Sequence, residues 1–147
     1  MTVTIRDAGP QDEAVWLALW QGYLTFYRTE LAPGVTEASW ARLMDPGSAL
    51  KMRLAEREGQ VLGFAIHLNH ASTWVAGDDC YLEDLYVVPE ARGQGLGRAL
   101  IEDLMTLARA KGWHRIWCMT EITNTAARKL YDDLAPCDDH IRYRRTL

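Results

Sequence analysis

The chain has 147 residues, of which 48% are hydrophobic and 24% are charged, and its formal net charge is −4. These values are ordinary for a soluble globular protein, and the length favours a single domain over residues 1–147. Acidic and basic residues are mixed along the chain, which argues against a dedicated nucleic-acid binder with a basic stripe. No apolar run approaches the ~20 residues that span a bilayer. The N-terminal residues lack the apolar stretch of a secretory signal, so a cytoplasmic location is expected.

The cysteines and histidines do not predict a metal site. Cys80, Cys118 and Cys137 are odd in number and include no Cys-x-x-Cys spacing. A disulfide framework or a zinc site is therefore not expected. His67 and His70 lie three residues apart in a predicted strand, which places them on opposite faces and argues against a metal pair.

The first third of the chain predicts one strand and two helices. Alternating apolar residues predict a strand over Thr2–Ala8. Apolar residues at spacings of three and four predict a helix from Glu13 to about Arg28, which is unusually rich in aromatic residues. Most of these aromatic residues are expected in the core, and one or two near the end of the helix could line a cleft. A second helix, with Thr36 as its N-cap, is expected to end near Met44.

The middle of the chain predicts three further strands. Leu50–Arg57 and Gln60–Asn69 form a predicted hairpin, whose tight turn is placed at Glu58-Gly59. Ala71–Asp79 is rich in small and polar residues and is expected to be a loop. The apolar run that follows predicts a strand over Cys80–Val88.

A glycine-rich turn follows this strand and leads directly into a helix. The turn is Arg92-Gly93-Gln94-Gly95-Leu96-Gly97, and apolar residues at Leu100, Leu104 and Leu107 mark one face of the helix. Gly112 predicts the end of that helix. Glycines let a ligand approach the backbone closely, and the free N–H groups at a helix start attract anions. The sequence therefore predicts a phosphate or pyrophosphate site at this turn.

Two common phosphate motifs do not fit the turn. A P-loop requires Gly-Lys followed by Ser or Thr, which occurs nowhere in the chain. Neither Gly93 nor Gly95 begins a Gly-x-Gly-x-x-Gly fingerprint. A Rossmann-like nucleotide binder stays an alternative, since Glu121 at the end of the next predicted strand could bind a ribose. A purely structural turn is a second alternative.

The last third of the chain predicts two strands on either side of a helix. The strands are expected over His114–Thr120 and His140–Thr146, and the helix over Asn124–Asp133. The full order is then β-α-α-β-β-β-α-β-α-β. This order predicts an α/β (α+β) fold with one mixed central sheet and helices on both faces. The β-α-β unit from Leu82 to Thr120 is expected to be parallel and right-handed.

Two motifs resemble those of a known enzyme family. The spacing Arg-x-x-Gly-x-Gly, which begins at Arg92 behind an apolar strand, resembles the coenzyme A pyrophosphate loop of the GCN5-related N-acetyltransferase (GNAT) family. The spacing Asn-x-x-Ala-x-x-x-Tyr, from Asn124 to Tyr131, resembles motif B of the same family. The chain is identified as a member of this family. Its Leu82–Val87 strand is similar to that of the diamine and polyamine acetyltransferases, including the Hpa2-like branch.

The resemblance implies an enzyme, an N-acetyltransferase with acetyl-CoA as its donor and no metal. Backbone groups implied to face the pantetheine arm and the thioester belong to Leu85, Tyr86, Val87 and Val88. Residues implied to hold the pyrophosphate are Arg92, Gly93, Gln94, Gly95, Leu96, Gly97 and Arg98. Motif B is implied to add contacts from Asn124, Ala127 and Tyr131. Tyr131 is also implied to be the general acid that protonates the departing thiolate.

The resemblance further implies that the acceptor is a primary amine, on a polyamine, another small molecule or a lysine side chain. Glu83 matches the candidate general base of the polyamine branch. A carboxylate inside an apolar strand is costly unless it is partnered or used, which supports this role. An exposed position at the sheet edge is the alternative for Glu83. Residues expected around the acceptor amine are Tyr27, Glu30, Glu83 and Asp84.

One departure from the family pattern concerns the C-terminal segment. Many members follow the motif-B tyrosine with two further strands, and the segment from Leu134 to Asp139 is too short for both. A partner subunit is therefore expected to complete the wall of the acceptor site. The resemblance to the family implies a homodimer. Two other readings stay open. The chain could bind acyl-CoA as a regulatory module without transferring the acyl group, or Cys118 could carry the acetyl group covalently.

Overall fold

The computed structural model describes residues 2–147, which form five β-strands and four α-helices. The strands are β1 (Val3–Asp7), β2 (Lys51–Arg57), β3 (Gln60–Ala71), β4 (Asp78–Val87) and β5 (Arg115–Cys118). The helices are α1 (Glu13–Phe26), α2 (Val35–Met44), α3 (Leu96–Lys111) and α4 (Thr125–Leu134). The sheet order is β1-β2-β3-β4-β5, antiparallel from β1 to β4 and parallel between β4 and β5. The predicted mixed sheet and the parallel β-α-β unit are confirmed.

Helices cover both faces of the sheet, as predicted. On the face under α1 and α2, here the α1 face, the buried core includes Trp16, Trp20 and Phe64. On the opposite face, here the α3 face, it includes Leu100 and Leu104. Within residues 2–147, no helix combines the length and the apolar character needed to cross a membrane. The expected cytoplasmic location stays a prediction.

The first two helices lie where the sequence predicts them, with two differences. In α1, the predicted apolar face includes Leu17, whereas the structure buries Leu19 and leaves Leu17 37% exposed. The N-cap of α2 is Gly34, with φ of 85°, so the predicted cap at Thr36 is wrong. The Thr36 side chain has another role, because its hydroxyl accepts a hydrogen bond from Trp20 Nε1 at 3.2 Å. Thr36 therefore joins α2 to α1 instead of capping α2.

The hairpin between β2 and β3 has the predicted turn. Glu58 and Gly59 both have positive φ, 53° and 77°, as a tight two-residue hairpin turn requires. The loop before β4 is shorter than the predicted Ala71–Asp79, because β3 extends to Ala71 and β4 begins at Asp78. Similarly, β5 ends at Cys118 instead of Thr120.

The predicted closing strand over His140–Thr146 is wrong. Residues 135–147 form no helix or strand, and every one of them is exposed. A strand exists only where its backbone N–H and C=O groups find partners. Among the described residues, β5 is the edge of the sheet and has no neighbour on its outer side. The alternating pattern in the C-terminal segment is therefore not sufficient by itself to form a sixth strand.

The register between β3 and β4 shifts by one residue near the middle of both strands. Ile66 pairs with Asp84, whereas His67 pairs with Leu82, so Glu83 has no partner in the ladder. Such a bulge bends the strand and changes the directions of its side chains. In a regular strand, residues two apart share a face. Here Leu82 packs in the core of the α3 face, while Asp84 contacts helix α1 on the other face.

His67 is a buried histidine of β3 without a hydrogen-bond partner, and it predicts that the folded protein is sensitive to acid. Its side chain is 2% exposed, and neither ring nitrogen has a hydrogen-bond partner among residues 2–147. Burial, together with the nearby charge of Arg53, lowers the pKa of His67 from 6.5 to about 4. Between these values the unfolded chain binds a proton that the folded chain excludes. The contribution of the neutral His67 to the free energy of unfolding should therefore be complete above pH 6.5. As the pH drops to 4, this contribution should be lost, and the free energy of unfolding should fall by about 3 kcal/mol.

Urea unfolding between pH 7 and pH 4 measures this effect. His67→Leu should lose this part of the pH dependence and show a flatter decline in the free energy of unfolding. His140→Gln is the matched control, because His140 is exposed and its replacement should keep the wild-type slope. If the free energy of unfolding fell equally steeply with decreasing pH in His67→Leu and in the wild type, His67 would not be the source of the acid sensitivity.

Candidate active site

The sheet opens between β4 and β5, and this opening is the centre of the candidate site. The two strands pair only from Asp79 with Arg115 to Leu82 with Cys118. Beyond Leu82, β4 continues to Val87, and no described strand lies on its outer side. We call this stretch, Glu83–Val87, the β4 edge. Its outward-facing backbone groups can bind an extended ligand in the way that an added strand binds.

The glycine-rich turn lies at the end of the β4 edge and presents a run of free backbone N–H groups. Gly93 and Gly95 have φ of 73° and 84°, and open space lies where each would carry a side chain. Gly95 is the N-cap of α3, and no side chain caps that helix. From Gly93 to Arg98, no backbone N–H has an acceptor among residues 2–147. We call this run, Gly93–Arg98, the amide turn. With the positive end of the α3 dipole behind it, it fits a pyrophosphate group.

Side chains from three elements hold the amide turn in place. The Arg57 guanidinium donates to Gln94 Oε1 at 2.6 Å. Arg98 forms an ion pair with Asp133 at 2.9 Å, which ties the start of α3 to α4. A methyl group added at Gly97 would lie 3.3 Å from a leucine side chain of α4. The close approach of α3 and α4 therefore places motif B directly beside the amide turn.

Arg92 closes the end of the β4 edge. Its Nε donates to the backbone oxygen of Val87 at 2.9 Å. Its guanidinium carbon lies 5.2 Å from the ring centre of Phe26 and 5.5 Å from that of Tyr86. Cation–π attraction of this kind stabilises an exposed guanidinium by roughly 0.5–1 kcal/mol. Arg92 is thus positioned between α1, β4 and the amide turn.

Asn124 connects the start of α4 to the end of α1. It is the N-cap of α4, and its side-chain oxygen accepts from the Ala127 N–H at 3.4 Å. Its side-chain nitrogen donates to Thr120 Oγ1 at 3.2 Å and to the Tyr27 hydroxyl at 3.5 Å. These contacts bring the predicted acceptor residue Tyr27 next to motif B.

Tyr131 lies on α4, half-buried against the core of the α3 face. Burial raises its pKa well above the usual value, and the nearby Cys118 and Tyr27 raise it further. Its hydroxyl is therefore protonated at neutral pH. No described residue forms a hydrogen bond with that hydroxyl, so its proton is available to a ligand.

The carboxylate of Asp84 lies under α1 and is held by Tyr23. The Tyr23 hydroxyl donates to Asp84 Oδ1 at 2.6 Å. Burial raises the pKa of Asp84 to about 6, although the Tyr23 hydrogen bond opposes this shift, and the nearby Glu83 adds to it. Burial and Asp84 together raise the pKa of Tyr23, so the phenol keeps its proton.

The remaining predicted site residues divide between the two faces and the surface. Leu85 and Val87 pack towards the α3 face, and Tyr86 is buried on the α1 face. Glu83 is exposed at the bulge. Glu30 is also exposed, in the loop after α1, and forms no hydrogen bond with any described residue. Val88 contacts the cores of both faces.

Tyr23 is the residue that the sequence does not single out. It is one of several aromatic residues on α1, and its ring lies 5.0 Å from that of Trp20 and 4.9 Å from that of Tyr27. Its helical spacing from Trp20 marks the inner face of α1. Its pairing with Asp84, 61 residues away, depends on the tertiary structure.

Residues 2–147 contain no group of three or more His, Cys, Asp or Glu side chains that could hold a metal ion. His67 is buried and pairs across the sheet with Leu82, which packs on the α3 face. His70 pairs with Asp79, an odd number of residues from Leu82 along β4, and accepts a hydrogen bond from Trp117 Nε1 at 3.1 Å. The expected separation of these two histidines is confirmed.

The chain matches known acetyltransferases over most of its length. Residues 14–135 match the family model described as "Acetyltransferase (GNAT) family". The D-amino-acid N-acetyltransferase HPA3 of Saccharomyces cerevisiae is 34% identical over 145 residues, covering 97% of this chain and 90% of the yeast protein. An aminoglycoside N(6')-acetyltransferase type 1 of Klebsiella aerogenes is 31% identical over 130 residues, covering 84% of this chain and 82% of that protein. The chain therefore belongs to the GNAT family.

Solved structures agree with this assignment of the fold. A ribosomal-protein-alanine N-acetyltransferase from Brucella melitensis superposes with a TM-score of 0.83, at 22% identity, over 100% of both chains. The resemblance inferred from the glycine turn and motif B is confirmed, and so is the class of enzyme. The chain is an N-acetyltransferase with acetyl-CoA as its donor. The amide turn, with open space beside both of its left-handed glycines, fits the pyrophosphate of that donor.

Proposed function

We propose that this chain transfers the acetyl group of acetyl-CoA to a primary amine by direct attack on the thioester. The observation that carries the proposal is the β4 edge. It begins at the two carboxylates Glu83 and Asp84 and ends at the amide turn. A donor bound along this edge would have its pyrophosphate at the amide turn and its thioester towards the carboxylates.

Different residues along this edge would contact different parts of the donor. Amides of the amide turn hold the pyrophosphate, while the backbone from Leu85 to Val88 binds the pantetheine arm as an added strand binds. Strand N–H groups in the same stretch stabilise the negative charge that develops on the thioester oxygen. Asn124 and Ala127 contact the donor from the start of α4. Bound acetyl-CoA supplies the activated acetyl group, and Tyr131 donates a proton to the departing sulfur.

The acceptor amine must lose a proton before it attacks. A primary amine with a pKa near ~10 is neutral in about one part in 10³ at pH 7. A carboxylate at the β4 bulge is suited to accept this proton. Glu83 is the residue that the sequence favours, and from its exposed position it would act through a water molecule. Its role as the base stays a prediction.

The named relatives support a primary amine as the acceptor. They are described as acetyltransferases of D-amino acids, of aminoglycosides at N(6'), and of thialysine at the ε nitrogen. The bovine thialysine enzyme matches over only 78 residues, 53% of this chain and 45% of that protein. Polyamines and lysine side chains belong to the same chemical class, and in this proposal Tyr27 and Asp84 would receive such a cation.

The test is calorimetry followed by an amine panel. Purified protein is titrated with acetyl-CoA, and thiol release is then measured with spermidine, a lysine peptide, a D-amino acid and an aminoglycoside. Micromolar binding of acetyl-CoA and thiol release with at least one amine are expected. Binding without release for every amine would favour the acyl-CoA-binding module. An absence of acetyl-CoA binding would contradict the assignment of the amide turn.

We also propose a homodimer in which the C-terminal segment of one copy pairs with β5 of the other. Among the described residues, the outer side of β5 has no strand partner. Ile141 and Tyr143 alternate with charged residues, yet their side chains are 74% and 88% exposed. An open edge and an unpaired strand-like segment are complementary.

Light scattering coupled to gel filtration should show a dimer for the wild type. The double change Ile141→Glu and Tyr143→Glu should produce a monomer, because it removes the apolar side of the segment. Ile122→Glu is the matched control, since Ile122 is 82% exposed outside this segment. A monomeric wild type would contradict the proposal.

A further inference from the structure

Two aromatic rings lie on the α1 face of the sheet but outside the core of that face. Tyr81 of β4 and Trp117 of β5 are partners in the ladder, and each is followed by a residue that packs on the α3 face, Leu82 and Cys118. Because side chains alternate along a strand, both rings point to the α1 face. Neither belongs to the core there. Tyr81 is half-buried and Trp117 is 41% exposed. We call these two rings the aromatic pair.

The aromatic pair is fixed in orientation, although solvent reaches it. The ring centres of Tyr81 and Trp117 lie 4.3 Å apart, and the ring planes are inclined by 31°. Trp117 Nε1 donates to His70 Nε2 at 3.1 Å. His70 Nδ1 lies 3.0 Å from the backbone oxygen of Ala71, so an imidazole with its proton on Nδ1 satisfies both contacts. A ring that is already held in place loses little conformational freedom when a ligand binds to it.

The bulge in β4 places the aromatic pair on the same face as Asp84. Tyr81 and Asp84 are three residues apart, a spacing that would put them on opposite faces of a regular strand. Across the ladder, however, Tyr81 pairs with Leu68 and Asp84 pairs with Ile66, which are two residues apart on β3. The backbone positions of Tyr81 and Asp84 are therefore about 7 Å apart along the sheet.

The charges around the aromatic pair are acidic on balance. Burial raises the pKa of Tyr81, and the negative charges of Glu83 and Asp84 raise it further, whereas Arg142 of the C-terminal segment lowers it. On the other side, Arg115 is neutralised by an aspartate of β4 at 2.6 Å. Among the residues described, neither Glu83 nor Asp84 has an ion-pair partner. Aromatic faces beside unpaired carboxylates attract a cation.

We propose that the aromatic pair binds a second ammonium group of the acceptor, so that diamines are preferred to monoamines. This inference rests on the proposed function, in which the reacting amine lies at the β4 bulge. An extended chain of four or five carbon atoms, with bonds of about 1.5 Å, spans the distance from the bulge to the aromatic pair. The second nitrogen then lies against the exposed face of Trp117. The aromatic pair takes no part in bond breaking, and it determines which amine is used.

Two acceptors that differ by one ammonium group test the inference. 1,5-Diaminopentane and pentylamine have the same carbon chain, and only the diamine brings a second charge to the aromatic pair. In the wild type, kcat/KM per amino group should be about fivefold higher for the diamine, mainly through a lower KM. General destabilisation lowers both values together, so their ratio reports on the second ammonium group alone.

Replacements of Trp117 separate its aromatic face from its other contacts. Trp117→Leu should bring the ratio for diamine and monoamine close to one, because no aromatic face remains. Trp117→Phe is the matched control, since it also loses the hydrogen bond to His70 but keeps an aromatic face. It should retain most of the preference for the diamine. Calorimetry with acetyl-CoA and the melting temperature show that each variant is folded.

Nitrogen-15 NMR detects the same contact without turnover. The protein is saturated with coenzyme A, which carries no acetyl group to transfer. The indole N–H signal of Trp117 is identified by its absence from the spectrum of Trp117→Phe. Addition of 1,5-diaminopentane should shift this signal, and pentylamine at the same concentration should shift it much less.

The outcomes distinguish this inference from the proposed function. A wild type that acetylates no amine contradicts the proposed function, while a Trp117 signal that shifts with the diamine still supports the subsite. Equal kcat/KM values for the two amines, or a ratio that is unchanged in Trp117→Leu, overturn the subsite and leave the proposed function in place. An equal loss of preference in Trp117→Phe and Trp117→Leu also overturns it, because the aromatic face would then not be what binds the cation.

Discussion

Replacing Tyr131 by phenylalanine should lower kcat by about 100-fold and leave the affinity for acetyl-CoA within about twofold. The change removes only the hydroxyl, while the ring keeps its packing on the α3 face. No described residue bonds that hydroxyl, so the folded protein loses no internal hydrogen bond. The raised pKa of Tyr131 keeps the phenol protonated, as a general acid requires. Thiol-release kinetics and calorimetry with acetyl-CoA measure the two quantities separately.

Tyr143→Phe is the matched control for this experiment. It removes the same hydroxyl from a side chain of the C-terminal segment, outside the β4 edge and the amide turn, and it keeps the apolar ring that the proposed dimer uses. The value of kcat should therefore be unchanged. If Tyr131→Phe also kept the wild-type kcat, Tyr131 would not be the acid, and the sulfur would take its proton from solvent. A large loss of acetyl-CoA affinity without a fall in kcat would assign Tyr131 to binding alone.

Gly95→Val should weaken acetyl-CoA binding by about 100-fold or more, which corresponds to roughly 3 kcal/mol. Gly95 has φ of 84°, a conformation that a β-branched residue adopts only with strain. The open space beside it would also be filled by the new side chain, where the pyrophosphate is proposed to bind. Both effects act on the same run of backbone N–H groups. Calorimetric titration with acetyl-CoA measures the loss directly.

Gly112→Val at the other end of α3 is the control for strain. Gly112 also has positive φ, 73°, and open space where a side chain would lie. It caps the C-terminus of the helix, away from the amide turn. Its replacement should destabilise the protein to a similar extent and keep acetyl-CoA binding. Equal losses of affinity in the two variants would show that general destabilisation, and not the pyrophosphate site, explains the result.

Local physical chemistry made much of this fold predictable. Helix α3, which runs over Leu96–Lys111, is predicted by its regularly spaced apolar residues, by the glycine-rich turn at its start and by Gly112 at its end. The Glu58-Gly59 pair predicts the hairpin turn that the structure contains. Each of these elements is specified by neighbours within a few residues. The two family motifs are equally local, so the glycine turn and motif B were also recognisable in the sequence.

The C-terminal segment shows where a local pattern is insufficient. Ile141 and Tyr143 alternate with charged residues as they would in a strand, yet residues 135–147 form none. A helix satisfies its own backbone hydrogen bonds, whereas a strand depends on a partner that can come from anywhere in the assembly. The pattern therefore determines that a strand is possible, and the surroundings determine whether it forms.

The two carboxylates of β4 show what only the tertiary structure decided. The sequence determined that Glu83 and Asp84 interrupt an apolar strand next to the glycine turn. It did not determine which of them faces α1, because a shift of one residue in register exchanges the two faces of a strand. The bulge opposite Ile66 makes that choice, turning Asp84 to Tyr23 and leaving Glu83 exposed. Such a shift depends on how β3, β4 and α1 pack together, and no short stretch of sequence contains that information.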